Sequence, residues 1–193
     1  MKIAIIDYGA GNVRSLQFAL ERIGVDGSLT ADPELIQSAD KVIFPGQGEA
    51  KSALKKLKAV GLDRVIPQLK QPLLGICLGM QLLCQHTEEG NTPGLGIIQA
   101  DVHRFSNQLK VPQMGWNTIQ NLSSSLFQGI KEKSYMYLVH SYYVPVIGAT
   151  IAKANYGITY SVAIQKDNFY GVQFHPEKSS KAGQQLLTNF LNL

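Results

Sequence analysis

Leu73-Leu74-Gly75-Ile76-Cys77-Leu78-Gly79-Met80-Gln81 decides how this chain is read, because an apolar run changes there, through a Gly-x-Cys-x-Gly turn, into a helix-prone segment. The segment extends over Met80–His86, so the local reading is strand, tight turn, helix. Two similar units lie upstream. Lys2–Asp7 is a β-branched run followed by Gly9 and Gly11, after which Val13, Leu16, Leu20 and Ile23 keep helical spacing up to Gly24. Val42–Phe44 likewise passes through Pro45-Gly46-Gln47-Gly48 into a helix-prone stretch. Repeated strand-loop-helix units imply a parallel sheet covered by helices.

After Gly94 the pattern alternates, around Ile97–Phe105, Trp116–Ile119, Tyr135–Val144, Thr159–Ile164 and Phe169–Phe174, with turns such as Asp167-Asn168 between. These segments read as mixed or antiparallel additions to the sheet, and an amphipathic helix over Ser180–Leu191 closes the chain. The expected architecture is one α/β domain over residues 1–193, a three-layer sandwich with a mostly parallel central sheet plus antiparallel additions. Its functional loops belong at the carboxyl ends of the parallel strands.

Composition narrows the function classes. With 193 residues, 45% hydrophobic and 17% charged, the chain can bury one substantial core. Its net charge of +4 comes from scattered basic residues, and Lys51, Lys55 and Lys58 on one helical face read as a solvated surface, not a nucleic-acid site. Cys77 and Cys84 fit neither a disulfide framework nor a zinc pattern, and the apolar start at Ile3–Ile6 is too short for a signal peptide or a membrane span. A cytoplasmic protein without membrane attachment is expected.

Three segments carry chemistry. Gly75-Ile76-Cys77-Leu78-Gly79 is the thiol counterpart of a serine nucleophile elbow: the turn strains its central residue, and the glycines remove Cβ atoms that would clash. The sulfur then sits at a helix start, where free N–H groups favour thiolate. Cys84 lacks such flanks and reads as core. Phe174-His175-Pro176-Glu177 offers a base and its orienter, since residues two apart in an extended chain share a face and Pro176 biases His175 towards extension. In Pro45-Gly46-Gln47-Gly48-Glu49, glycines before a helix leave backbone N–H groups free for an oxyanion, a donor typically contributing about 3 kcal/mol. A phosphate-binding reading of the loop is weaker, because the Walker-type Lys-Ser/Thr is absent.

Taken in this order, the three segments resemble the class I (triad) glutamine amidotransferases over about Ile3 to Phe190. The resemblance implies a flavodoxin-like sandwich that hydrolyses glutamine to glutamate and ammonia through a γ-glutamyl thioester on Cys77, with His175 and Glu177 completing a triad. It implies an oxyanion hole from Gly46, Gln47, Gly48 and Leu78, and glutamine contacts from Gln81, Glu89, Ser141 and Tyr142. No metal or organic cofactor is implied. The strings Asp7-Tyr8-Gly9-Ala10-Gly11-Asn12, Cys77-Leu78-Gly79-Met80-Gln81, Met114-Gly115-Trp116-Asn117 and His140-Ser141-Tyr142 are similar to one branch of the family. Its members pair as heterodimers with a (β/α)8-barrel cyclase through residues matching Asn12, Trp116 and Lys178. The chain departs from the family at Gln47, a position usually held by a small apolar residue. Other expectations stay open at this level: the glutaminase of a pyridoxal phosphate, anthranilate or guanylate synthase, a non-catalytic scaffold, or a free-standing thiol hydrolase.

Overall fold

The run Ile3–Ile6 is buried at every position, and so are Lys41–Gly46, Leu73–Cys77 and Phe169–Val172. Continuous burial marks strands covered on both faces. In the computed structural model, which describes residues 1–9 and 13–193, the first half runs β1 (Ile3–Ile6), α1 (Val13–Glu21), β2 (Gly27–Thr30), α2 (Pro33–Gln37), β3 (Lys41–Gly46), α3 (Ala50–Ala59), α4 (Leu62–Val65), β4 (Leu73–Cys77) and α5 (Leu78–Leu83). There follow β5 (Cys84–Thr87), β6 (Thr92–Pro93), β7 (Ile98–Arg104), β8 (Gln113–Thr118), β9 (Tyr135–His140), β10 (Tyr142–Tyr143), β11 (Thr150–Tyr156), β12 (Ile158–Lys166), β13 (Phe169–Val172) and α6 (Ser180–Leu191).

The central sheet has the order β11-β12-β13-β4-β3-β1-β2. It is parallel from β2 to β13, and β12 and β11 are antiparallel. Alternate residues of one strand feed opposite cores, as the two-residue period requires. Ile3, Ile5 and Ile43 join Leu16 and Leu20 of α1 and Leu187 and Phe190 of α6, whereas Ala4, Ile6, Val42 and Phe44 join Ala53 and Leu57 of α3. The result is the expected three-layer, flavodoxin-like sandwich.

Two expectations are corrected. The helix predicted over Met80–His86 ends at Leu83, and Cys84–Thr87 is a strand that pairs with β7. The reason lies across the chain: the amides of Gly94, Leu95, Gly96 and Ile97 take the carbonyls of Gln85, Leu82, Cys84 and Leu83, so no further helical turn can use them. Among the alternating segments after Gly94, only those of β12 and β13 enter the central sheet, and β13 does so in parallel with β4. The segment predicted at Ile97–Phe105 joins β5, β6 and β10 in a four-stranded sheet, and β8 and β9 make a two-stranded ribbon. Ser141 breaks the Tyr135–Val144 run in two.

Candidate active site

Cys77 ends β4 with φ 55° and ψ −110°, a positive-φ conformation that costs a non-glycine residue roughly 1–3 kcal/mol. Surrounding glycines hold it there. A Cβ on Gly79 would lie 2.0 Å from the carbonyl oxygen of Phe44, one on Gly46 would lie 2.5 Å from the amide nitrogen of Gly79, and one on Gly75 would lie 2.9 Å from the Gly79 carbonyl carbon. Strand β3, strand β4 and helix α5 therefore meet backbone to backbone, and Gly46 pairs directly with Cys77. The sulfur lies 3.8 Å from the carbonyl oxygen of Val139 and 3.6 Å from Gln173 Nε2. Cys84, by contrast, is fully buried, and desolvation, helped by the charge of Asp101, pushes its thiol up to about 12.

His175 follows β13, the neighbour of β4, and its Nδ1 lies 2.9 Å from Glu177 Oε1 with both side chains almost wholly buried. Glu177 does not reach the ring by continued extension, as the i, i+2 argument expected. Pro176–Lys178 forms a 3-10 turn in which Lys178 N–H donates to the His175 carbonyl. Ser179 Oγ also donates to that carbonyl, at 2.6 Å, and accepts from Tyr137 N–H, which ties the turn to β9. Burial would lower the His175 pKa, but hydrogen bonds to Cys77 and Glu177 and their negative charges outweigh it and raise it to about 10. His175 thus has the Cys77 side chain and the Glu177 carboxylate as its partners, an arrangement able to relay a proton.

Gln47, Gly48, Cys77, Leu78, Gln81, Glu89, Ser141, Tyr142 and His175 line one cavity of about 420 Å³, within the range usual for small-molecule sites. Gly46 does not line it; its bare α-carbon instead lets the loop sit against Leu78 and Gly79. The base of the loop is anchored by buried Tyr8, whose hydroxyl donates to the Pro45 carbonyl at 3.0 Å where β1 has already ended. Desolvation, with the nearby charge of Cys77, pushes the Tyr8 phenol far above its ordinary range, so it stays a neutral donor.

The opposite wall presents polar groups whose orientation is fixed. Glu89 Oε2 accepts from Ala50 N–H at 2.9 Å, capping α3, whose own N-cap Glu49 makes no side-chain cap. Burial, opposed by that bond and aided by the charge of Glu49, raises the Glu89 pKa. Glu88 points elsewhere, to His103 and the Arg104 amide. Gln81 donates to the Tyr142 carbonyl at 3.2 Å and to Gln173 Oε1 at 2.9 Å, so the Gln81 group left for a ligand is its carbonyl oxygen. Two acceptors, Gln81 and Glu89, suit the ammonium end of an amino acid. Among the described residues no cluster of three or more His, Cys, Asp or Glu is placed to hold a metal ion.

His140, absent from the sequence-level candidates, supports this wall. Its Nδ1 lies 2.7 Å from the Tyr142 carbonyl, and its Nε2 3.3 Å from the Tyr160 hydroxyl. Desolvation lowers its pKa to about 4; the Tyr142 bond opposes this and the His175 charge adds to it. The folded chain therefore keeps His140 neutral where the unfolded chain, with a pKa near 6.5, takes up a proton. Stability should fall as pH drops from about 6.5 towards 4, by on the order of 3 kcal/mol in total from this group. Urea unfolding between those pH values should show a native slope steeper by about one proton than that of His140→Gln; parallel slopes would contradict the assignment.

Of the predicted docking residues, Trp116 is 53% exposed with its ring against Tyr137, and Lys178 is exposed beside it. Both line a cleft of about 350 Å³ with Glu177 and Lys181, and Lys178 also lines the active-site cavity. Asn12 lies outside the described residues.

Cys77 at its elbow and His175 of the buried His–Glu pair thus line one cavity on a flavodoxin-like sheet. The family model Glutamine amidotransferase class-I matches residues 4–193, and the chain belongs to that family. The imidazole glycerol phosphate synthase subunit HisH of Bacteroides thetaiotaomicron is 55% identical over the whole of both chains. The protein of the same name from Haemophilus influenzae is 47% identical over 99% of this chain and 97% of its own. Among solved structures, PurLQS from Thermotoga maritima superposes with a TM-score of 0.75 over 99% of this chain and 97% of its own. At 17% identity it reports the fold alone.

Proposed function

We propose that the chain is the glutaminase subunit of an imidazole glycerol phosphate synthase, supplying ammonia for histidine biosynthesis. The observation that carries the proposal is the Cys77–His175–Glu177 constellation in a chain 55% identical, end to end, to a protein of that name. Cys77 Sγ attacks the side-chain amide carbon of glutamine, and the oxyanion is held by amides of the Gln47–Gly48 loop and Leu78. His175 delivers a proton to the departing nitrogen, the C–N bond breaks, and ammonia leaves. Water then attacks the γ-glutamyl thioester with His175 accepting its proton, and expulsion of the thiolate releases glutamate. Glu177 holds the ring throughout. Gln81 and Glu89 accept from the substrate ammonium, and backbone groups at Ser141 and Tyr142 face its carboxylate.

Ammonia passes to a (β/α)8-barrel cyclase docked over Trp116 and Lys178, in a cytoplasmic heterodimer. No helix of the described residues is long and apolar enough to cross a membrane. Lys178, which borders both cavity and docking face, joins partner binding to the site. Mixing the chain with a cyclase subunit should give glutamine-dependent imidazole glycerol phosphate, with glutaminase turnover rising when the cyclase binds its ligand. Full-rate turnover by the chain alone, or product formation only with another synthase, would overturn the assignment.

A further inference from the structure

Gln173 is fully buried in the backbone segment between β13 and His175, and nothing in the steps above uses it. Its amide orientation follows from its neighbours. The Tyr142 carbonyl can only accept, and it takes a bond from Gln81 Nε2. The same nitrogen of Gln81 must then donate to Gln173 through the oxygen, Oε1, at 2.9 Å. That leaves Gln173 Nε2 turned towards Cys77 Sγ, 3.6 Å away. A backbone carbonyl thus fixes, through two side-chain amides in succession, a donor aimed at the reacting sulfur.

We propose that Gln173 is a further catalytic residue, whose side-chain N–H donates to the Cys77 thiolate and links the nucleophile to the glutamine-binding side chain Gln81. The bond is strong only while the sulfur is charged, because donors to ionised acceptors bind about twice as strongly as donors to neutral ones. It therefore favours the thiolate before attack and again when the C–S bond breaks and the electron pair returns to sulfur. It also presents the sulfur in one rotamer, pointing between Gln173 and His175. A thioester sulfur is a poor acceptor, so the same bond weakens during the acyl-enzyme stage.

The inference rests on Cys77 being the nucleophile, and the test separates the two. Rates of Cys77 alkylation by iodoacetamide are measured against pH in the full chain and in Gln173→Met and Gln173→Glu. Glutamine turnover is measured in the complex with the cyclase. Gln173→Met lacks both donor and acceptor. Gln173→Glu keeps the oxygen facing Gln81 and serves if the first variant fails to fold. Alkylation at neutral pH should fall about tenfold in both, its pH profile should move to higher pH, and kcat should fall similarly with KM changed less. Profiles that superimpose on the native one would overturn the role of Gln173. A native chain in which Cys77 is not alkylated ahead of Cys84 would overturn the nucleophile assignment itself.

Discussion

Cys77→Ala should lower glutamine hydrolysis by about ten thousandfold to a millionfold, since removing a nucleophile that acts as a unit with its base loses nearly the whole covalent route. Ammonia-dependent synthesis by the cyclase complex should survive, because the substitution removes one sulfur and leaves the cleft at Trp116 and Lys178, the proposed docking surface, untouched. The fold should survive as well. Alanine at φ 55° bears much the same backbone strain as cysteine, and the loss of one small, mostly buried side chain leaves a modest void. Parallel assays with glutamine and with ammonium salt as nitrogen source check this. Loss of both activities would place the fault in folding or docking instead of the thiol.

Gly79→Ala should disrupt the fold at the elbow. The added methyl would stand 2.0 Å from the Phe44 carbonyl oxygen, in a contact between strand backbone and helix backbone with no flexible side chain to give way. Either α5 lifts from β3 or the elbow distorts, and a loss above about 4 kcal/mol is expected, the range reserved for core disruption. Because β3 leads into the Gln47–Gly48 loop, what remains folded should also be slow. Gly61→Ala is the natural control: its φ is also positive, at 73°, but nothing lies within 4 Å, so only the conformational cost of about 1 kcal/mol applies. Chemical denaturation of the two variants should separate close contact from backbone preference.

What could be read in the sequence followed short-range rules. The elbow at Cys77 announced itself through its two flanking glycines, the Lys2–Asp7 and Val42–Phe44 runs through their apolar continuity, and α6 through its helical period; each is a property of a few neighbouring residues. Glu177 was placed correctly against His175, although a 3-10 turn and not an extended chain brings it there. Glu89, expected as a glutamine contact, lines the cavity, yet the Ala50 amide that fixes it lies 39 positions away, and no local pattern shows that bond. The end of α5 is hidden from local rules for the same reason, since amides of Gly94–Ile97 compete for its last carbonyls. Gln173 left one signal that was available: a polar side chain in the buried run Val172–Phe174, two residues from His175 and so on the same face. Its partner Cys77 is 96 positions distant, and only the pairing of β13 with β4 brings the two together.

The most direct test is trapping with a glutamine analogue that carries an electrophile at the γ-carbon, applied to the chain in complex with a ligand-occupied cyclase, followed by peptide mapping. One γ-glutamyl-type adduct per chain on Cys77, prevented by excess glutamine and absent from Cys77→Ala, is the predicted result. An adduct on Cys84, or labelling that glutamine does not protect, would contradict the assignment of Cys77 as the residue that takes ammonia from glutamine.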